Sequence, residues 1–172
     1  MKPEEERVRE YLLSQGEKYP FKELWVRSIA ARLELIKEVS DINQEQADYS
    51  FDSDEWTISE ILKHVMTSTH RVTNLISELA IGNTGDASNI DPPREITNLN
   101  IDELRSGLIS GAFNWTSMTD NLPVAPNMDQ MSNHSFFGDL HAGAWYLFQR
   151  VHDLDHLNQI RNNKSHADYP NI

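Results

Sequence analysis

The stretch "WTISEILKHVMTSTHRVTNLISELA", residues 56–80, carries the clearest pattern in the chain. Ile58, Ile61, Leu62, Val65, Thr69, Val72, Ile76 and Leu79 recur at intervals of three or four. That period gathers them on one face of an α-helix, which turns once every 3.6 residues. Thr57 followed by Glu60 has capping-box spacing, in which each side chain satisfies a free backbone N–H of the first turn. A helix is expected over 57–80, with Gly82 and Gly85 ending it.

Four more segments share the period. "PEEERVREYLLSQ" opens with Pro3 and three glutamates, which suit a helix start, and is expected to end near Gly16. A second helix is expected over 21–47, with Leu24, Ile29, Leu33, Ile36 and Val39 on its inner side. Asn100 and Glu103 repeat the capping box ahead of a helix over 101–121, where Leu104, Leu108, Ala112 and Trp115 face inward. Gly107 and Gly111 weaken that helix unless another packs closely on it. The last helix is expected over 140–163, with Trp145, Phe148, His152, Leu157 and Ile160 inside. No segment alternates as a half-buried strand does, so no sheet is expected.

The reading is therefore all-α: a four-helix bundle with a short extra N-terminal helix. It forms a single domain over 1–172, with its core at about 21–163. The 20-residue connection 81–100 is long enough to cross the bundle and let the helices it joins run parallel. The connection 123–140 is also long for a plain bundle, and such loops often rim a site.

Composition narrows the function. Formal net charge is −12 over 172 residues. An acidic surface repels phosphates and anionic lipid headgroups, so neither nucleic acid nor membrane is expected as a partner. No segment approaches the roughly 18 apolar residues of a membrane span, and no secretory signal is evident. A cytoplasmic location is expected. There is no cysteine, which removes disulfides, thiolate metal ligands and a cysteine nucleophile.

The histidines carry what chemistry remains. His152 and His156 lie four apart, nearly stacked on one helix face about 6 Å apart along the axis. Trp145, two turns earlier, continues that face, so the pair is expected to point inward. Two inward histidines fit a hydrogen-bonded pair as well as two metal ligands. A third from another helix would favour metal, and His64, at the edge of the 57–80 stripe, is the candidate. His70 lies about 240° round from it. His141 is too far along the last helix to reach the same ion. His134 sits in a loop that could visit the site, and His166 lies in a polar tail expected to be solvated. Asp153 and Asp155 flank the pair. Asp155 is a candidate hydrogen-bond partner for a ligand histidine, and Glu60 reads as a cap.

Taken together, "EWTISEILKHV" and "FFGDLHAGAWYLFQRVHDLDHLNQI" resemble the DinB-like (damage-inducible, YfiT-type) metal-binding four-helix proteins. The matching pieces are Trp56-Thr57, His64, Phe137-Gly138, Trp145, His152, His156 and Gln159-Ile160, in order and at family spacing, over about Phe21 to Asn163. Asp155 departs from the basic or neutral residue expected there, and the segment before Phe21 is not a family hallmark. The resemblance implies one divalent ion held by His64, His152 and His156. Zinc or nickel comes first, with iron or manganese as alternatives. It also implies a metal-dependent transferase or hydrolase, with a low-molecular-weight thiol and a small electrophile as substrates. A non-catalytic metal-binding bundle with a stress-response or interaction role is the alternative. A homodimer is expected, with the exposed side of the Gly107/Gly111 helix allowing close packing.

Overall fold

A computed structural model describes residues 2–171; Met1 and Ile172, the ends of the expected domain, lie outside the described residues. Six helices and one small hairpin follow in order: α1 (Pro3–Lys18), α2 (Phe21–Glu38), α3 (Gln44–Ala47), α4 (Ile58–Ala80), α5 (Ile101–Asn121), β1 (Met131–His134), β2 (Gly138–His141) and α6 (Ala142–Lys164). Helices α2, α4, α5 and α6 form the bundle. α6 packs on both α2 and α4, α5 closes the other side against both, and α1 lies along α6 outside the bundle. Both expected capping boxes form: Thr57 with Glu60 on α4, and Asn100 with Glu103 on α5.

The core has two apolar layers. One joins the start of α2 (Phe21, Leu24) to the ends of α4 and α5 (Leu75, Leu79, Trp115) and the start of α6 (Trp145, Tyr146). The other joins the end of α2 (Leu35, Val39) to the starts of α4 and α5 (Ile58, Leu62, Leu104) and the end of α6 (Ile160). Helices α4 and α5 thus run parallel to each other and antiparallel to α2 and α6, as the 81–100 crossover permits.

Between these layers sits a polar waist. Arg32 donates from Nε to Asp153 Oδ2 and from Nη2 to Asp153 Oδ1, both at 2.8 Å. Nη2 also donates to Thr69 Oγ1 (2.7 Å), and Gln149 Nε2 donates to Asp153 Oδ1 (2.7 Å). The ion pair is buried, at 3% and 1% exposure.

Four expectations are corrected. Helix α2 stops at Glu38, because Val39–Asn43 is a turn: Ser40 Oγ donates to Lys37 O, and Asn43 caps the separate α3. The inner face of α2 is Phe21, Leu24, Ser28, Ala31, Arg32 and Leu35, whereas Leu33 is 55% exposed. α1 runs through Gly16 to Lys18. A Cβ on Gly16 would lie 2.4 Å from the backbone carbon of Gly143, so that glycine is where α1 and α6 touch backbone to backbone. The fourth correction is the sheet, since residues 131–134 and 138–141 pair antiparallel. Each strand has only four residues, too few for an alternating pattern to show.

Candidate metal centre

His64 comes from the second turn of α4, and His152 and His156 from successive turns of α6. All three are buried, and their ligand-capable nitrogens lie within 4.8 Å of one another. The antiparallel packing of α4 on α6 produces this, by bringing the start of one helix beside the second half of the other. Asn163 Nδ2 fixes the same alignment by donating to Trp56 O at 2.7 Å. Packing orients two of the rings: Trp56 meets His64 edge-on at 5.1 Å, and Phe148 lies 5.5 Å from His152.

The contacts among these rings cannot all be ordinary hydrogen bonds. His156 Nδ1 donates to Gln159 Oε1 at 3.0 Å, so a neutral His156 has a bare Nε2. That Nε2 lies 3.2 Å from His152 Nε2, which lies 3.1 Å from His64 Nε2. His64 Nε2 is also 3.0 Å from Asp91 Oδ1, a carboxylate that only accepts. A neutral His156 needs the proton on His152 Nε2. His64 Nε2 can then accept from His152 or carry a proton to Asp91, and either tautomer leaves one of its two contacts unmatched. Protonating His156, which burial disfavours by lowering its pKa, would still leave His64 one Nε2–H between two acceptors. Burial, with neighbouring positive charge, holds His152 well below the usual histidine range. A cation among the lone pairs satisfies them all at once.

The donor set fits a metal on two further counts. The His64–His152 and His152–His156 Nε2 separations of 3.1 and 3.2 Å approach the ~3.3 Å edge of a tetrahedral shell with bonds of about 2.0 Å, and all three nitrogens lie within 4.8 Å. Neutral imidazoles are also what a divalent ion requires. Gln159 supplies the outer hydrogen bond that steadies a ligand histidine. It does so for His156 alone, because Nδ1 of His64 and of His152 are buried without a protein partner.

A cleft of about 620 Å³ opens onto His152 and His156. Phe136, Phe137, Phe148 and Val151 give it an apolar wall, and α1 adds Lys2, Glu4, Glu5 and Val8. The hairpin supplies His134. Its ring packs among Phe137, Trp145 and Phe148 at 4.6–5.3 Å, and its Nδ1 accepts from Phe136 N at 3.1 Å. The proton therefore sits on Nε2, which is buried and has no protein partner. Burial pushes the His134 pKa down to about 4, so its ring stays neutral behind the phenylalanine wall.

The remaining expectations sort by position. His70 is exposed. His141 caps α6, its Nδ1 accepting from Ala144 N. His166 is held by Tyr49 OH (2.8 Å) and stacked on Phe51 (4.7 Å) rather than solvated. Glu60 caps α4 and also receives Arg94 Nε. Asp155 is exposed on the cleft rim and makes no hydrogen bond to a histidine; Gln159 holds the place expected for it. The sequence reading gave no role to Asp153, whose partner is the distant Arg32, and missed Asp91, in a loop without periodicity. Gly107 and Gly111 also face inward. Added Cβ atoms would meet Met66 and Arg32, so these glycines serve packing inside the bundle.

A sequence profile of the DinB superfamily matches residues 27–160, more than three quarters of the chain, with all three histidines inside the match. Comparison with curated proteins and with solved structures gives no match.

Proposed function

The chain belongs to the DinB superfamily, and from that premise we propose that His64, His152 and His156 hold one divalent ion in a metal-dependent transferase of the thiol S-transferase kind. The observation that carries the proposal is the meeting of three buried histidines whose ligand-capable nitrogens lie within 4.8 Å of one another, two of them opening onto a cleft. A bound divalent ion lowers the pKa of a coordinated thiol or water, which supplies a nucleophile to a chain that has no cysteine. Zinc or nickel suits three imidazoles best, with iron or manganese next.

The chain's own residues provide the rest. The phenylalanine wall takes an apolar electrophile. Glu4, Glu5 and Asp155 at the rim favour a neutral or cationic electrophile over an anionic one. Partners are thus small molecules, with a low-molecular-weight thiol as cosubstrate. Among the described residues no helix is long and apolar enough to cross a membrane; the cytoplasm is the proposed location. A homodimer would use the outer faces of α2 and α5, where Val26, Leu33, Ile109 and Phe113 stand exposed.

The experiment is metal analysis of tag-free protein, followed by a screen of glutathione, bacillithiol and mycothiol with monochlorobimane. Metal at one equivalent with thiol-dependent conjugation supports the transferase. Metal without turnover favours the non-catalytic bundle, a reading that Asp91 beside His64 also favours. Absence of metal affinity overturns both.

A further inference from the structure

We infer that Asp91 is a fourth protein ligand of the same ion, carried onto it by the 81–100 crossover; this rests on the metal reading above. Its Oδ1 already lies 3.0 Å from His64 Nε2. A cation held by the His64 Nε2 lone pair would lie within reach of that oxygen, and the carboxylate opens onto the same cleft as His152 and His156. Carboxylate oxygen is an ordinary ligand for divalent metals beside imidazole.

The loop is built to keep Asp91 there. Ile90 is 3% exposed and anchored in the core. On the other side, Arg94 donates from Nε to Glu60 Oε1 (3.0 Å) and from Nη1 to Ser53 O (2.8 Å). Arg71 Nη1 donates to Asn89 O. Pro92 and Pro93 stiffen the segment between Asp91 and Arg94. Asp91 is thus tethered on both sides, while its side chain stays 40% exposed and lines the cleft with His134, His152 and His156. As placed it touches His64 alone of the three, so ligation needs a small side-chain rotation, which a half-open residue allows.

Two consequences follow. One carboxylate offsets half the charge of a divalent ion that three imidazoles leave uncompensated. Metal binding also fastens the crossover loop to the α4–α6 seam. Asp91 is the one ligand of the four that stands on a loop and is open to water, so it is the one an incoming ligand can replace.

The test compares wild type, Asp91→Asn and His152→Ala, each as the full chain stripped of metal. Zn²⁺ affinity is read by chelator competition, coordination by Co²⁺ visible absorption, and loop order by hydrogen exchange over 81–100 with and without Zn²⁺. Circular dichroism of the metal-free variants checks that the bundle is intact. Asp91→Asn is expected to weaken Zn²⁺ about 10–100-fold, alter the Co²⁺ bands and abolish Zn²⁺-dependent protection of the loop. His152→Ala should lose far more affinity. If Asp91→Asn binds Zn²⁺ like wild type and its loop is protected equally, the inference falls while the three-histidine reading stands. If wild type binds neither Zn²⁺ nor Co²⁺, both fall.

Discussion

Arg32 and Asp153 meet through two parallel 2.8 Å hydrogen bonds at the middle of the bundle, Asp153 directly following His152 within the helix turn that leads to His156. Removing one partner strands the other's charge where water cannot reach it. Arg32→Met or Asp153→Leu alone should cost about 3–5 kcal/mol in urea unfolding. The double variant should recover most of that, because an apolar pair of similar volume carries no desolvation penalty. A double variant as unstable as either single one would show that the waist depends on the ion pair itself.

The histidine set predicts a sharp contrast among variants. His64→Ala and His152→Ala should reduce divalent-metal occupancy severely, whereas His70→Ala, at an exposed position on the same α4, should leave it unchanged. Elemental analysis after dialysis against a limiting metal buffer decides it. Loss of metal in His70→Ala with retention in His64→Ala would place the site elsewhere.

Acid should destabilise the metal-free protein in a defined window. Above the ordinary histidine pKa of about 6.5, folded and unfolded chains are both neutral at His134. Below it the unfolded chain takes up a proton, while folded His134 waits until about pH 4. Stability is therefore fully present above pH 6.5 and drains away as pH falls toward 4, by roughly 3 kcal/mol from this residue. His152 and His156, lowered by burial, act in the same direction. Urea midpoints at pH 7 and 4.5 measure the slope, and His134→Phe should flatten it. An unchanged slope in that variant would assign the acid sensitivity to the other two.

Gly143 predicts a steric effect. A Cβ there would sit 2.1 Å from Gly16 O, and neither backbone can yield without separating α1 from α6. Gly143→Ala should destabilise by about 1–3 kcal/mol and should raise hydrogen exchange in α1 more than in α4 or α5. Uniform loosening of all helices would contradict the local origin of the effect.

The sequence was legible where one periodicity governed a long segment. The α4 stripe from Ile58 to Leu79 is buried throughout, and the α6 residues Trp145, Phe148, His152, Leu157 and Ile160 all face the core. Since His64, His152 and His156 ride on these two helices, their convergence could be anticipated from spacing and order. Helix α2 misled because its buried face contains Ser28 and Arg32, and the burial of Arg32 depends on a partner 121 positions away. Leu33 then looked like core and is not. Asp91 and the hairpin were invisible for a different reason. Their positions come from single anchors such as Ile90, Arg94 and Gly138, and not from a repeat.

Helix α6 is the element on which α1, α2 and α4 all pack, and it is the last helix of the described chain. During synthesis at about 5–20 residues per second, α1, α2 and α4 leave the ribosome without their common partner. Arg32 has no Asp153, Gly16 has nothing to press against, and His64 waits alone for its companions. The bundle must then close late and nearly all at once, so a nascent chain stalled before residue 142 should expose the apolar faces of α2 and α4 to chaperones.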